Sequence, residues 1–501
     1  MSEDYDLVVV GGGPGGATLA TLVAMQNHRV LLLEREQFPR YQIGESLLPA
    51  TVHGICVILG VSEQIKAANF VRKKGGSFLW GKNPEPWTFG FGMSPVIGES
   101  AGYAYQVERA KFDQILLDNA KHKDVDVRER HSVTGLLSEG GRVVGVEYTD
   151  DKGEHRTARS RFVADASGNA SPIFRNVGER IYSKFFQNVA LFTYYENGKR
   201  LPPPNQGNIL CASFEHGWFW YIPLSDTLTS VGAVIAREHA DRIKGDPERA
   251  MQGFIESCPL IREYLADARR VTEGMYGQFR VRKDYSYCNT RFWAPGVVLV
   301  GDAACFIDPV FSSGVHLATY AALLAARSVS TALRGDISEE RCFEEFERRY
   351  RREFSNFYQF LVTFYDTNRD EDSYFWEARK VLNSEEKANE AFIRLVAGVS
   401  TSGEPLYSSG ADYFERLQQI SGVFDDGERM YVSAPPGLKH DGRGGDTQDF
   451  VQNLLSEIVQ VQSVANIGGN RSAEKPMYEG GLIASADGLR WVEPVTAASA
   501  G

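Results

Sequence analysis

The chain has 501 residues, of which 43% are hydrophobic, enough for a large core and for more than one domain. A formal net charge of −11 argues against a nucleic-acid-binding protein, which needs a basic surface for the phosphates. The six cysteines form no CxxC pair and the nine histidines form no HExxH motif, which predicts neither a disulfide framework nor a metal site.

The first strand and the glycine-rich loop after it predict a dinucleotide site. A β-branched run, YDLVVV, leads into Gly11-x-Gly13-x-x-Gly16, and a helix follows from Pro14 and Gly15. Gly11 permits a tight turn, Gly13 lets a pyrophosphate approach the backbone, and Gly16 lets the helix pack closely on the strand. The free N–H groups at the helix N-terminus are then available to the phosphates.

The second strand, RVLLLE, supplies the acid that completes this unit. Glu34 stands at its end, next to Arg35, and is placed to bind the hydroxyls of a ribose. Such an acid favours a ribose with free hydroxyls over one with a 2′-phosphate. Since no second glycine-rich nucleotide motif follows, the sequence contains no obvious dedicated NAD(P)H domain.

Charged residues in the following segments are open to structural and functional interpretations. Glu45 in QIGESLLPA is a candidate polar contact near the chemistry, and a helix cap at Glu45 or Ser46 is an equal alternative. Lys73 in NFVRKKGGSFLWG stands within a charge run that by itself is typical of a solvated face. Arg109 in VERAKFDQILL is by itself an ordinary solvated helix residue.

Four apolar segments between residues 189 and 236 predict an antiparallel sheet. VALFTYYE, GNILCASF, GWFWYIPL and TSVGAVIA each have the length and composition of a strand. GWFWYIPL is unusual because it places Trp218 and Trp220 on either side of a phenylalanine. On composition alone, these rings are best interpreted as core packing.

Two later segments repeat the pattern of a strand that ends in an acid and a glycine. RFVADASG is one, and GVVLVGDAACFIDPVFSSGVHLA contains a strand, Gly301-Asp302, and a loop that enters a helix. A loop that leads into a helix is a reasonable anion site, because its backbone N–H groups point at the ion.

From residue 336 onward the chain is helical and charged. Aromatic residues recur at helical spacing in ISEERCFEEFERRYRREFSNFYQFLVTFYD, which predicts one buried helix face. Residues 434–447 have the composition of a loop, and GLIASADGLRWVEP predicts a hairpin that turns at Asp487-Gly488. We expect this tail to cover or shape the substrate entrance.

The glycine loop, RFVADASG and the late GD motif together resemble the FAD-binding fold of p-hydroxybenzoate hydroxylase-like flavoproteins, over residues 1 to about 330. The resemblance implies an α/β protein with a Rossmann-like FAD-binding part, an antiparallel-sheet substrate domain and a helical C-terminal region. It also implies that Asp302 holds the flavin ribityl chain and that Arg109 approaches the FAD phosphates. The implied FAD contacts are Gly11, Gly13, Pro14, Gly15, Gly16, Glu34, Arg35, Arg109, Asp302, Pro309 and Gly314.

Three motifs within this fold are similar to those of flavin-dependent halogenases. GWFWYIPL contains their WxWxIP signature, and we expect the bulk of Trp218 and Trp220 to let only a small ion reach the flavin. FIDPVFSSG resembles their halide loop, which implies chloride at the amides of Ser313 and Gly314. NFVRKKGGSFLWG resembles the segment of their essential lysine, and its register selects Lys73. The resemblance implies that this amine holds electrophilic chlorine, either as a chloramine or by hydrogen bonding to hypochlorous acid.

Longer segments are most similar to the halogenases of nonribosomal peptide pathways, of glycopeptide and enediyne type. RYQIGESLLPATVHG, PEPWTF, YAYQVERAKFD, VRKDYSY and DEDSYFWEARKV all look like segments of that group. The resemblance implies that the substrate is a tyrosyl-type phenol carried on a peptidyl carrier protein and chlorinated ortho to its hydroxyl. It also implies that a separate flavin reductase supplies FADH2.

The predicted organisation is a halogenase module at 1–335 followed by a mainly helical region at 336–501. Its FAD-binding parts are expected at about 1–82, 103–180 and 275–335, and its substrate sheet at about 83–102 and 181–274. The acidic start and the lack of any apolar run approaching about 20 residues predict neither a signal peptide nor a membrane span. We therefore expect a cytoplasmic protein.

Other functions on this fold stay open at this point. An aromatic hydroxylase predicts NADPH consumption and oxygen insertion, and an inactive flavin-binding protein predicts a partner role in a synthetase assembly. A reductase of isoprenoid double bonds shares the fold as well. The tryptophan signature and Lys73 argue against the hydroxylase, and the intact nucleotide motifs argue against the inactive protein.

Overall fold

A computed structural model describes residues 3–80, 86–93, 102–366 and 476–494. The expected loop at 434–447, the segment DEDSYFWEARKV and Gly81 of the lysine segment lie outside these ranges. Within them the chain forms two large sheets, two small strand pairs and a set of helices.

The first large sheet is mainly parallel and carries the N-terminal unit. Its strands run in the order β17-β18-β10-β1-β2-β7, with β9 added to β10 and β8 added to β9. They are β1 (Glu3–Val10), β2 (Val30–Glu34), β7 (Asp126–Glu129), β8 (Ser132–Glu139), β9 (Arg142–Thr149), β10 (His155–Asp165), β17 (Trp293–Ala294) and β18 (Val297–Leu299).

The register of this sheet brings three sequence motifs to one edge. Val10 of β1 is aligned with Asp165 of β10, and Asp165 is aligned with Leu299 of β18. The glycine loop, RFVADASG and Gly301-Asp302 therefore all leave the sheet at the carboxyl ends of neighbouring parallel strands. This edge is where open α/β sheets bind their ligands.

The second large sheet is placed beside the first and is almost wholly antiparallel. Its order is β19-β16-β11-β14-β13-β12-β4-β5, with β15 on β11, and among the described strands only β4 and β12 pair in parallel. Its strands are β4 (Gly75–Leu79), β5 (Trp87–Gly90), β11 (Arg180–Glu196), β12 (Ile209–Phe214), β13 (Gly217–Pro223), β14 (Leu228–Ala236), β15 (Arg269–Arg270), β16 (Arg280–Asn289) and β19 (Cys305–Phe306).

The four predicted strands all occur in this sheet, with differences in extent and neighbours. β11 is longer than expected, because it begins at Arg180 and continues through a register shift between Tyr182 and Gln187. It pairs with β14 rather than with β12. The chain therefore crosses from β11 to β12 without pairing them, and β12, β13 and β14 then follow one another as antiparallel neighbours that lead back to β11. β4, β16 and β19 come from segments assigned to the FAD-binding part, and the domain boundaries stay a prediction.

Strand β13 explains why GWFWYIPL is apolar throughout. Side chains alternate between the two faces of a strand, and both faces of β13 are covered. Trp218, Trp220 and Ile222 face the core shared with the first sheet, whereas Phe219 and Tyr221 face a second core with two short helices. The rings are core residues, as composition alone suggested. The two tryptophans lie on the face of β13 that is turned toward the first sheet.

Helices cover the first sheet and close the molecule behind the second. Among the described residues they are α1 (Pro14–Ala24), α2 (Cys56–Leu59, after a π-helical turn at Thr51–Ile55), α3 (Ser62–Ala67), α4 (Arg109–His122), α5 (Pro247–Glu256), α6 (Pro259–Tyr264), α7 (Gly314–Arg334) and α8 (Glu339–Asp366). α7 packs against both α1 and α8. The aromatic stripe predicted for α8 is confirmed as buried: Phe343, Phe346, Tyr350, Phe354 and Phe357.

The small strand pairs join distant parts of the chain. β3 (Val71–Lys73) pairs with β6 (Ala104–Gln106), and β20 (Ile483–Ala484) pairs with β21 (Trp491–Val492). The second pair confirms the predicted hairpin around Asp487-Gly488. No helix in the described ranges is long and apolar enough to cross a membrane. All six cysteines are buried as free thiols.

Candidate functional site

The glycine loop is closed to any larger side chain at two positions. Gly11 has a φ of +100°, and a Cβ there would lie 2.7 Å from the carbonyl oxygen of Ala166. A Cβ on Gly16 would lie 1.9 Å from the oxygen of Gly11, so loop and helix touch directly. At Gly13 the nearest obstacle is Nη2 of Arg40, at 3.4 Å. The loop thus has the shape that a pyrophosphate needs, and Arg40 is an additional cation beside it.

Glu34 uses both carboxylate oxygens on backbone amides. Oε2 accepts a hydrogen bond from the Gly12 N–H at 2.6 Å, and Oε1 accepts one from the Glu36 N–H at 2.8 Å. The carboxylate therefore fixes the glycine loop against the end of β2. Its contact with a ribose stays a prediction, as does any contact by Arg35, whose side chain is 61% exposed.

Arg109 is buried and bound within the protein instead of lying on a solvated helix face. Its Nε and Nη2 donate to Asp113 at 2.7 and 2.9 Å, and its Nη1 donates to the carbonyl oxygen of Ile43 at 2.6 Å. The side chain thereby ties α4 to the loop that carries Glu45. Its approach to the FAD phosphates stays a prediction.

Asp302 is the carboxylate best placed to meet a polar cofactor. Burial raises the pKa of Asp302 to about 6, while the guanidinium groups of Arg109, Arg180 and Arg282 counter this effect. Its carboxylate makes no hydrogen bond to the described residues. A partly buried acceptor without a protein partner at the carboxyl edge of the sheet fits the ribityl hydroxyls of FAD. Together with the glycine loop, the residues present fit this cofactor.

The loop from Asp308 to Gly314 is held rigidly by its first residue. The buried Asp308 side chain accepts hydrogen bonds from the Val310 N–H at 3.1 Å and from Asn188 Nδ2 at 2.9 Å. Ser312 then adopts a left-handed φ of 59°, which turns the chain into the N-terminus of α7. Pro309 starts the single helical turn between them.

The start of α7 has the features of an anion site. A Cβ on Gly314 would meet no atom within 4 Å, so the approach to its amide is open. The Ser313 hydroxyl is buried and has no hydrogen-bond partner among the described residues. An open N-terminus on a 21-residue helix places unpaired N–H groups and the positive end of the dipole at this point.

Lys73 is a buried amine, unlike its two charged neighbours. The alternation of strand β3 turns Arg72 and Lys74 to solvent and leaves Lys73 2% exposed. Its Nζ donates to the Ser46 hydroxyl at 2.8 Å and to the carbonyl oxygen of Leu47 at 3.1 Å. Burial lowers the pKa of Lys73 to about 7. A neutral amine is therefore available near neutral pH.

The thiol of Cys211 lies between this amine and the loop. Cys211 is close enough to Lys73 for each to affect the pKa of the other. Its Sγ also lies 3.9 Å from the carbonyl oxygen of Val310. β12 therefore spans the distance between Lys73 and the loop that leads to α7.

Both tryptophans of β13 donate their indole N–H groups inside the protein. Trp218 Nε1 donates to the Tyr365 hydroxyl at 2.6 Å, and that hydroxyl donates to Oδ2 of Asp308 at 2.8 Å. Trp220 Nε1 donates to the Ser230 hydroxyl at 3.1 Å. Trp218 is thus connected to the loop through a residue of α8. The role of both rings as a barrier stays a prediction.

Glu45 is buried in a polar chain rather than at a helix cap. The nearest helical turn begins at Thr51 with Ala50 as its N-cap, and Ser46 instead forms a bridge with Gln106, so the capping alternative is wrong. Oε1 of Glu45 accepts a hydrogen bond from the Tyr194 hydroxyl at 2.7 Å. Burial raises the pKa of Glu45 to about 7, against the effects of the neighbouring hydroxyls and of Arg109.

Sequence reasoning missed the residues that join these parts. Tyr365 and Phe364 continue the aromatic stripe of α8, which periodicity alone assigns to a core face. The stripe was the available signal, but it contains Tyr350 and Tyr358 as well, so the sequence does not single out Tyr365. In the described ranges no group of three or more His, Cys, Asp or Glu side chains is arranged to hold a metal ion.

Comparison with known proteins is consistent with this geometry. A family model described as tryptophan halogenase matches residues 6–102 and 93–421. The chain is 34% identical over 451 residues to the tryptophan 2-halogenase of Chondromyces crocatus, which covers 87% of this chain and 83% of that protein. It is 29% identical over 391 residues to the 1H-pyrrole-2-carbonyl-(peptidyl-carrier protein) chlorinase of Pseudomonas fluorescens, covering 74% and 85%.

Two solved structures extend the similarity to the whole described fold. The structure of a myxobacterial chondrochloren halogenase matches with a TM-score of 0.77 and 56% identity, over 98% of this chain and 100% of that chain. The structure of a second flavin-dependent halogenase matches with a TM-score of 0.73 and 29% identity, over 98% and 84%. The predicted FAD-binding α/β fold is confirmed.

The burial of Lys73 generates a stability prediction with a defined pH dependence. The folded protein releases this proton near pH 7, whereas an unfolded lysine keeps it up to its ordinary pKa of 10.5. Burial of the amine therefore lowers the free energy of unfolding most below pH 7, and the cost disappears as the pH rises to 10.5. We expect Lys73→Met to raise the free energy of unfolding at pH 7 by about 1–3 kcal/mol.

Urea unfolding at pH 7, 8.5 and 10 measures this effect. The gain of Lys73→Met should shrink at each step, and the exposed Lys74→Met variant should stay within about 0.5 kcal/mol of the unmodified protein. A Lys73→Met variant that is less stable by the same amount at all three pH values would contradict the prediction.

Proposed function

Because the chain belongs to the flavin-dependent halogenases of the tryptophan halogenase family, we propose that it chlorinates a tyrosyl-type residue carried on a peptidyl carrier protein. Chlorine enters the phenol ring ortho to the hydroxyl. Enzymes of this family are oxidoreductases that use FADH2 and chloride and depend on a flavin reductase. When bound, reduced FAD would supply two of the four electrons that reduce dioxygen, and the halide supplies the other two.

The observation that carries the proposal is the burial of the Lys73 amine, which lowers its pKa to about 7. Hypohalous acid diffuses freely and would halogenate many groups unless the protein retains it. A neutral amine retains it in one of two ways: it hydrogen-bonds the acid, or its nitrogen displaces hydroxide from chlorine. In the second case an N–Cl bond forms, the O–Cl bond breaks, and the amine proton joins hydroxide as water. Both ways need an amine that is not protonated, which burial of Lys73 provides.

The start of α7 supplies the halide position in this proposal. The amides of Ser313 and Gly314 hold chloride, because an open helix N-terminus favours an anion. Asp308 keeps these amides in place through its bonds to Val310 and Asn188. Pro309 and Gly314 then form the side of the loop nearest the flavin.

The remaining candidates control access and protons. The bulk of Trp218 and Trp220 is proposed to let a small ion or acid pass and to keep an organic ring away from the flavin. Glu45 holds a proton near neutral pH at the inner end of its polar chain. The FAD contacts proposed are the glycine loop, Glu34, Arg35, Arg109 and Asp302, to which the structure adds Arg40 as a candidate.

Two observations support a tethered substrate over a free one. One relative carries the name of a chlorinase that acts on a peptidyl-carrier-protein substrate, and it covers 74% of this chain. The sequence segments around Glu45, Arg109 and the tail are similar to halogenases with carrier-linked tyrosyl substrates. The tail at 336–501 is proposed to shape the entrance for this substrate.

Intact-mass analysis tests the substrate. The protein is mixed with FAD, a flavin reductase, NADH, chloride and a tyrosyl-loaded carrier protein, with free tyrosine in parallel. We expect a chlorine mass shift with its isotope pattern on the carrier-bound tyrosyl group alone, and none when the reductase is omitted.

The other outcomes separate the parts of the proposal. Chlorination of the free amino acid would discard the carrier requirement and keep the halogenase. An oxygen mass shift would indicate an aromatic hydroxylase of the same fold. Product formation coupled to NADPH oxidation without a reductase would contradict the proposed electron supply.

The bond from Tyr365 to Asp308 generates a second prediction. Tyr365→Phe removes a donor from Asp308 and an acceptor from Trp218, so the halide loop loses part of its support. We expect the chloride concentration for half-maximal hypochlorous acid formation to rise about tenfold, which is the equivalent of one hydrogen bond.

Tyr358→Phe is the matched control for this experiment. Tyr358 lies on the same face of α8 and bonds the Ser183 hydroxyl at 2.8 Å. Both variants should lose about 1 kcal/mol of unfolding free energy, whereas only Tyr365→Phe should change the chloride dependence. Equal chloride dependence in both variants would show that Tyr365 does not position the loop.

A further inference from the structure

Hypohalous acid formation needs a proton at a buried place. Dioxygen oxidises both chloride and FADH2, giving hypochlorous acid, FAD and water, and this reaction consumes one proton in each turnover. Water is excluded from such sites, so the proton has to arrive along groups of the protein. The hydrogen bonds around Glu45 supply a continuous chain of such groups.

The chain contains two tyrosine hydroxyls in series. The Tyr41 hydroxyl lies 2.8 Å from the Tyr194 hydroxyl, and the Tyr194 hydroxyl donates to Oε1 of Glu45 at 2.7 Å. Tyr194 is fully buried, whereas Tyr41 is partly exposed. Since Tyr194 donates to Glu45, its oxygen is left to accept from Tyr41. The chain therefore has one direction, from the partly exposed ring inward to the carboxyl group.

The inner end of the chain has an acceptor with no assigned partner. Oε2 of Glu45 is buried and has no partner at hydrogen-bond distance among the described residues, although the Ser230 hydroxyl is near enough to lower the pKa of the carboxyl group. Glu45 precedes Ser46, which accepts the hydrogen bond from Lys73. A carboxyl group that is protonated through Oε1 has its second oxygen, Oε2, left for release of the proton.

We propose that Tyr41 and Tyr194 form the route by which protons pass from solvent to Glu45 during hypohalous acid formation. This inference deepens the proposed function and rests on the halide oxidation within it. Concerted transfer along the hydroxyls avoids a free tyrosinate, whose formation burial opposes at both positions.

Aromatic and charged side chains cover the two tyrosines, and the groups around Glu45 determine whether its carboxyl group is ionised. Tyr276 packs on Tyr194 with ring centroids 4.5 Å apart, and Arg280 covers the Tyr41 ring at 3.5 Å. The groups that face Glu45 are the hydroxyls of Tyr194 and Ser230, the Arg109 guanidinium and the Glu108 carboxylate. Burial and Glu108 favour its neutral form, whereas the two hydroxyls and Arg109 favour its ionised form, so the carboxyl group can gain and lose a proton near neutral pH.

A titration of the cofactor-free protein tests the inner contact. Infrared difference spectra follow the carbonyl band of the Glu45 carboxylic acid against pH, and Glu45→Gln identifies the band. Tyr194→Phe removes a donor to the carboxylate, so we expect the midpoint to move upward by about one pH unit. An unmoved midpoint would overturn the proposal. Tyr221→Phe is the control, because Tyr221 lies buried in the same sheet and bonds the Lys199 carbonyl oxygen on the opposite face.

Single-turnover kinetics test the route itself. Protein loaded with FADH2 is mixed with dioxygen and chloride without organic substrate, and a 1,3-diketone traps hypochlorous acid. We expect Tyr194→Phe and Tyr41→Phe each to slow its formation about tenfold or more, with a larger loss at high pH, and Tyr221→Phe to leave the rate unchanged. Imidazolium, a small proton donor, should restore much of the rate in the two slowed variants.

The outcomes distinguish failure of the route from failure of the proposed function. Unmodified protein that forms no hypochlorous acid would overturn the halide oxidation on which the inference rests. Unmodified protein that forms it, with both phenylalanine variants equally fast, would overturn the route alone. A loss of rate that imidazolium does not restore would assign the tyrosines a structural role and would also overturn it.

Discussion

The indole N–H groups of Trp218 and Trp220 both donate hydrogen bonds within the protein, and the geometry of the site depends on these two bonds. Trp218 reaches Asp308 through Tyr365, and Trp220 reaches Ser230, which faces Glu45. One strand therefore fixes two buried carboxyl groups from segments far apart in the chain. Because the indole donors are used, the tryptophans have no free N–H group to offer an anion, and the halide position proposed at the start of α7 relies on backbone amides.

Burial of Lys73 lowers the free energy of unfolding and at the same time lowers the pKa of the amine. A protonated lysine is costly in an apolar interior, and the protein lowers this cost by releasing the proton rather than by pairing it with a carboxylate. Ser46 and the Leu47 carbonyl oxygen orient the amine without supplying a negative charge. An aspartate in place of Ser46 would favour the protonated amine, which is unsuited to the role proposed for Lys73.

Local patterns in the sequence were enough for the elements and for the nucleotide edge. The glycine loop, the strands around β13 and the aromatic face of α8 follow from spacing, because each depends on neighbours a few residues away. Strand alternation could also have selected Lys73 over Lys74. The internal partners of Arg109, the parallel pairing of β4 and the bond from Tyr365 to Asp308 were not predictable. Each requires the docking of segments whose relative position only the tertiary structure defines.

The last turn of α8 has a consequence for the order in which this enzyme is made. Trp80 donates to the carbonyl oxygen of Phe364 at 3.0 Å, and Trp218 donates to the neighbouring Tyr365. Neither indole can form its hydrogen bond until the end of α8 has been synthesised. Synthesis proceeds from the N-terminus at roughly 5–20 residues per second, and domains generally fold as they emerge. The growing chain therefore contains its glycine loop many seconds before Asp308 can accept the hydrogen bond from Tyr365. The residues proposed to contact FAD all lie at or before Gly314, so the growing chain contains them before it contains the Tyr365 hydroxyl that donates to Asp308.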